Sequence, residues 1–483
     1  MAGPKQDTPS CILVSLRACS SAPPNATTAA SKTSTGLPIA VTFCHATRPG
    51  FSNFSVHCPG IVRSSSFMLP TFISQDADLV LLRVPLDPRS KVDHSFYSDY
   101  FVYSVNPQRP ELDLLPNPYP ESFGDNEIAI LSCADDSYVV AALQFVPGIK
   151  PTFKLHLYRS TDGKQGTWTS QLLSVEQPLR HKVCPIPESA ERQIYHRTTK
   201  VIVLGDDIGT VGWVDLWRGI ILCGVLSERP MLHDLPLPLP AKGNLSSFLN
   251  CCPSYFRDIT VNQRKDTIKY IEIEITAPKK VHVPSGSDPD WVAYQGKPNS
   301  IVPGSWTATT WAVPTLAASW YAWHVKCSAS LDNLSLPPVK DNPKLHKILN
   351  RLLSIGDCEE QEATGATLPL GCLCMAYPTL TVLDDDDVYF LSKSISMRNI
   401  VSLVTVDVKN EVLQGMRVLV NNRSFIRDFS SGISVSGASA SLGQAKKTEA
   451  NKYGRRGKEQ VQERLDRLKS ICTRASGQSE EHM

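Results

Sequence analysis

Net charge is almost absent from this chain. Its 483 residues carry 49 Lys and Arg against 47 Asp and Glu, a formal +2. No global field therefore draws the protein to nucleic acid or to an anionic membrane. Long apolar runs are missing as well. The longest candidate, Gly219–Leu226, falls far short of the ~20 residues that span a bilayer and fits a buried strand. Residues 1–10 lack the apolar stretch of a secretory signal, and the run Cys11–Leu16 is short. Without a secretory route, the 14 scattered cysteines read as reduced, mostly buried small hydrophobes. The Asn-x-Ser/Thr triplets at Asn25, Asn53, Asn244, Asn333 and Asn422 read as chance matches.

Catalytic signatures are missing too. There is no G-x-G-x-x-G, no Walker loop, no H-E-x-x-H and no paired-His helix, which excludes nucleotide and zinc-protease chemistry by those routes. Cys372-Leu-Cys374 lacks a second Cys/His pair at zinc spacing. Gly432–Gly437 fails the spacing of a nucleophile elbow. Asp384–Asp387 is the sharpest acidic cluster, but strand sequence follows it at once, where a calcium loop needs spaced ligands and a terminal Glu. It reads as a solvated turn between two strands. His156 reads as exposed on the polar face of a strand. No cofactor and no metal is implied, and no catalytic residue stands out.

Proline is abundant, 36 residues, and hydrophobic residues make up 42%. That combination indicates a folded chain of many short elements and counts against a helical bundle. The periodicity is that of strands. Tyr270–Ile275 alternates Ile271, Ile273 and Ile275 with Glu272 and Glu274, as expected of a half-buried antiparallel strand. Similar short strands recur every ten residues or so from Leu37 to Leu419, with one amphipathic helix expected over Asn342–Ile355. The predicted fold is mainly β, antiparallel and propeller-like, without a WD or kelch repeat. A Ser/Thr-rich segment covers residues 1–36, the β module 37–429, and a linker with a basic helix 430–483. The first segment has the composition of an organellar transit peptide, but its Arg residues are sparse and strand-like sequence follows. In the tail, Ala445–Arg474 holds ten basic and four acidic residues, net +6. Lys446, Lys447, Arg455, Arg456 and Lys458 suggest an import signal or a phosphate-contacting patch, with a solubilising helix as the plain alternative.

The most distinctive string is Gly212-Trp-Val-Asp-Leu-Trp-Arg-Gly219. It reads as a strand, a tight Arg-Gly turn and a second strand. Trp213, Asp215 and Trp217 fall on one face of an extended chain, and Arg218 is the expected partner of Asp215. Indoles on such a face build core, or else a binding surface. With the Leu235–Pro240 run, Arg257–Val261, Ile268–Glu272, Trp306–Trp311 and Pro378–Tyr389, this string resembles the plant "domain of unknown function 1618" family, expanded in grasses. The core of the likeness is about residues 209–340, and Trp213, Asp215, Trp217, Arg218, Gly219, Trp306 and Trp311 are its motif residues, read as structural. Upstream motifs such as Val56–Gly60 and Asp99–Tyr103 extend the likeness. The layout is also similar to F-box-associated propellers of plant ubiquitin-ligase receptors, with no F-box region ahead of the module. The resemblance implies a non-enzymatic, soluble protein-interaction module with an unidentified protein partner, in the cytoplasm or nucleus. The alternatives are an enzyme whose site is assembled from distant loops and a factor that meets nucleic acid through the basic tail alone.

Overall fold

A computed structural model of the chain describes residues 12–436 with interruptions, the longest at 87–96, 282–299, 354–369 and 420–433. Residues 437–483 lie outside the described residues, and with them the expected basic helix and Lys446, Lys447, Arg455, Arg456 and Lys458.

The described strands form five four-stranded sheets, one five-stranded sheet and a two-stranded ribbon. The first sheet runs Ala29–Lys32, Pro38–Cys44, Phe51–His57, then adds Ile12–Val14 and Ser434–Ser436 at one side. Its first strand pairs with the second across residue 37, so the β structure begins inside the Ser/Thr-rich segment. The second sheet is Thr71–Asp76, Leu79–Pro85, Ser98–Ser104 and Glu111–Leu115. The third is Ile128–Ser132, Tyr138–Val146, Thr152–Arg159 and Trp168–Ser174. The fourth is Lys200–Val203, Thr210–Asp215, Gly219–Gly224 and Leu232–Pro236. The fifth is Arg257–Val261, Thr267–Thr276, Ser305–Pro314 and His324–Ser330. The sixth is Leu373–Leu380, Asp387–Ser394, Val401–Asp407 and Val412–Leu419. Sheets two to six are antiparallel meanders in chain order, which tight turns between short strands allow.

Packing explains why these strands are so apolar. Each sheet touches the next, and the first strand of the sixth meets Ser434–Ser436 of the first. Inner strands are therefore covered on both faces and read as near-continuous hydrophobic runs. In Thr267–Thr276 this corrects the half-buried expectation. Ile271 and Ile273 are buried, but so is Glu272 on the opposite face, because the fourth sheet and its connection close over it. Lys265, in the first turn of the fifth sheet, pairs with Asp76 at the first turn of the second, a sheet that is not its neighbour in the chain. Asp76 also accepts the Ser132 N–H of the third sheet, at 2.9 Å.

The expected helix is present as Pro343–Leu353. Asn342 caps it, its Oδ1 accepting the Leu345 N–H at 3.1 Å, and Pro occupies the first helical position, where no N–H is needed. Leu345, Leu349, Leu352 and Leu353 form its buried face, in one cluster with Ile271, Ile273, Trp306 and Phe390 of the fifth and sixth sheets. Among the described residues no helix is long and apolar enough to cross a membrane.

Candidate functional site

The signature string folds as the central hairpin of the fourth sheet, with Trp213 opposite Ile221 and Asp215 opposite Gly219. The strand ends at Asp215, so the alternation of faces stops there. This separates the two indoles that an uninterrupted strand would place side by side. Trp213 packs between the third and fourth sheets, with Leu131, Leu155 and Tyr195, and its Nε1 donates to the Glu127 carbonyl at 2.7 Å. Trp217 turns instead toward Phe248 and Cys184, and its Nε1 donates to the Cys251 carbonyl at 2.9 Å. Both are buried, and each indole N–H is satisfied, as burial demands.

Asp215 is not paired with Arg218 as the string suggests. Its carboxylate accepts the backbone N–H groups of Trp217 (3.0 Å) and Arg197 (3.1 Å). Burial raises its pKa, while Arg180, the two amides and Arg218 pull it back down. Arg218 donates to the carbonyls of Cys184 (3.1 Å) and Tyr195 (2.7 Å). Backbone carbonyls thus do the work expected of a carboxylate. Gly219 is required by close approach: a Cβ there would lie 2.7 Å from the Leu235 carbonyl oxygen and 3.2 Å from Arg180 Nη2.

Around this hairpin lies a network with no local signature in the sequence. Arg180 is fully buried and holds Asp234 through its Nε (2.7 Å) and its backbone N–H (2.9 Å). Tyr195 donates to the same carboxylate at 3.0 Å, and its ring lies 5.1 Å from the Arg180 guanidinium carbon. Arg180 Nη1 donates to His196 Nδ1 at 3.0 Å, and His196 Nε2 donates to Thr198 Oγ1 at 3.0 Å. Burial first, then Arg180 and Arg218, push the His196 pKa well below its usual value. On the fifth sheet, Arg257 lies 5.0 Å over the Trp217 ring and donates to the Leu216 and Trp217 carbonyls and to Glu272 (each 3.1 Å). Glu272 also receives Asn244 (2.7 Å) and the Ala241 N–H (3.0 Å). Arg257 and Glu272 were visible only as members of larger motifs. Arg180, Tyr195, His196 and Asp234 carried no signal, because their partners lie many residues away.

The other motif tryptophans also pack against aromatic rings. Trp306 is buried, its ring centroid 5.8 Å from that of Phe390. Trp311 packs on Tyr270 at 5.1 Å. Asp384–Asp387 links the first two strands of the sixth sheet, but it is not simply solvated. Lys269 reaches in from the fifth sheet and donates to the carbonyls of Thr381 (3.2 Å), Leu383 (2.9 Å) and Asp385 (3.0 Å). Asp384 binds Arg264 and Asn262, Asp385 receives Thr381, and Asp386 binds Lys326. An ammonium occupies the centre of this turn, where a calcium loop would hold its ion. Among the described residues no group of three His, Cys, Asp or Glu is arranged to hold a metal. The ten described cysteines are not paired with one another, and burial pushes the Cys223 thiol up to about 12. His156, expected on an exposed face, is buried.

Residues 213–389 match the model of a family described as "Protein of unknown function (DUF1618)". The match opens on the signature Trp213 and closes on Tyr389 in the sixth sheet, so it runs past residue 340, and the motifs quoted upstream of Trp213 lie outside it. No curated protein matches the chain.

Proposed function

We propose that this chain is a protein-interaction module built as a six-bladed, divergent β-propeller, acting in the cytoplasm or nucleus. Six consecutive sheets that each touch the next, with the sixth meeting the first, support the propeller reading. So does the Lys265–Asp76 pair, which links the second and fifth sheets, opposite members of a ring of six. The observation that carries the functional reading is where the signature residues go. Trp213, Asp215, Trp217, Arg218 and Gly219 are all engaged inside the molecule, so they maintain a scaffold and leave recognition to the exposed turns.

One such turn region belongs to the fourth sheet, where Ile208 and Met231 are about half exposed. Exposed apolar side chains on tight turns suit a protein contact better than a polyanion. The test compares affinity capture by the tagged full chain with capture by an Ile208→Asp, Met231→Asp variant of equal melting temperature. A partner held at fixed stoichiometry by the wild type and lost from the variant supports the reading. Equal recovery of every protein by both forms sinks it for this surface.

A further inference from the structure

Two residues of the third sheet, His156 and Ser170, meet Glu121 from the connection that precedes that sheet. His156 and Ser170 are cross-strand partners, and Ser170 Oγ lies 2.8 Å from His156 Nδ1. The imidazole is 1% exposed and lies against Phe123, ring centroids 5.0 Å apart. Its Nε2 is buried without a hydrogen-bond partner and lies 3.9 Å from Glu121 Oε2. The other Glu121 oxygen receives the Lys154 ammonium. Ser170 itself is exposed, on the last strand of its sheet.

The backbone register adds a second element. The Val175 N–H donates to the Pro151 carbonyl at 3.0 Å, so that opposed pair is hydrogen-bonded. Opposed pairs alternate in an antiparallel ladder, which makes His156 and Ser170 a non-hydrogen-bonded pair. At such a pair the side chains approach most closely, and the Ser170 N–H points away from its partner strand, toward the open side of the sheet. One residue thus offers both a hydroxyl and a backbone donor. Burial lowers the His156 pKa; Glu121 opposes this and Lys154 adds to it. Burial thus favours the neutral ring, and with Nδ1 accepting the serine hydroxyl its proton falls on Nε2, on the Glu121 side.

We propose that Ser170, His156 and Glu121 form an acyl-transfer site for small activated esters with an apolar acyl group. Ser170 Oγ attacks the ester carbonyl carbon while its proton passes to His156 Nδ1. The Ser170 N–H meets the oxyanion. The bond to the leaving oxygen breaks, and that oxygen takes the proton from His156. Water, deprotonated by His156, then cleaves the acyl-serine, and the proton returns to Ser170 Oγ, leaving an alcohol and a carboxylic acid. Leu172, exposed two residues along the same face, receives the acyl chain. Glu121 is a positioning residue, since it faces the imidazole and not the reacting atoms. The site lies outside the family-matched residues and adds a chemical activity that is read independently of partner capture.

The test treats the full chain with a fluorophosphonate and follows p-nitrophenyl butyrate turnover. One adduct per chain, mapped to Ser170 and absent from Ser170→Ala, is expected. His156→Gln should slow labelling about 100-fold. The labelling rate should level off above an inflection that lies below pH 6.5, and Glu121→Gln should move that inflection lower, because the imidazolium loses a neighbouring anion. A purely structural Glu121 would leave the inflection in place. The absence of an adduct, an adduct at another residue, or a rate that climbs only in the alkaline range overturns the proposal. Ser170 is exposed, so Ser170→Ala decides the matter even if His156→Gln does not fold.

Discussion

The network behind the signature hairpin and the aspartate turn at 384–387 use charge in opposite settings. In the network, Arg180, Arg218 and Arg257 are fully buried, and each needs a defined set of acceptors because no water can replace a missing one. In the turn, Arg264 and Asp384 meet at 3.2 Å while both stay more than half exposed, so solvent does most of the stabilising. Lys269 stands between the two cases, buried in the turn yet served by three carbonyls. Burial, and not formal charge, sets how much each group matters to the fold.

The sharpest way to break the comparison is Arg257→Ala. It strands Glu272 in the interior and should cost about 3–5 kcal/mol by chemical denaturation. Replacing Arg257 and Glu272 together by Met and Leu should recover much of that loss. Recovery that fails would mean that the stacking of Arg257 on Trp217, and not its ion pair, is what the hairpin needs. Trp213→Ala and Trp217→Ala belong to the same range, about 3–5 kcal/mol each, with the melting midpoint as readout. A variant that melts like the wild type would show that its indole is not core.

Lys269→Met should be milder, about 1–3 kcal/mol, since two of the three carbonyls it leaves, those of Leu383 and Asp385, are only partly buried and can recruit water. The pH dependence separates the regions further. His196 has a depressed pKa in the folded state, so between its folded value and the unfolded value near 6.5 only the unfolded chain binds the proton. The neutral ring therefore contributes no pH dependence above that range, and stability is lost as pH falls below about 6.5. The melting temperature should drop between pH 7.5 and 5.5, and His196→Asn should flatten that drop. His156 and His181 are depressed too, so a remaining slope is expected. The smallest effect belongs to Arg264→Ala, which should leave the midpoint unchanged within error and insensitive to salt. A clear shift would place the aspartate turn with the buried network after all.

Much of the architecture was legible because its cause is local. Alternation, turn residues and the spacing of Leu345, Leu349 and Leu352 identify strands and the one helix without reference to partners. The motif tryptophans could be read as core for the same reason. Legibility stopped where a strand ended. Trp213 and Trp217 parted company at the turn after Asp215, because the same-face reading carried the alternation past the end of the strand. Glu272 looked like the polar face of a half-buried strand because alternation reports which face a residue takes, not whether a second sheet closes over it.

By itself the sequence determined a mainly β chain of short antiparallel strands and an aromatic hairpin at Trp213–Gly219. Those properties follow from steric preference and hydrophobic patterning, which act over a few residues. Only the tertiary structure decided which charges found one another. Arg180 met Asp234, Arg257 met Glu272, and Glu121 from a connection met His156 and Ser170 of the third sheet. Their separation along the chain bears no relation to their distance in space. Electrostatic and hydrogen-bonding interactions gain strength only where packing removes water, and that removal belongs to the assembled sheets.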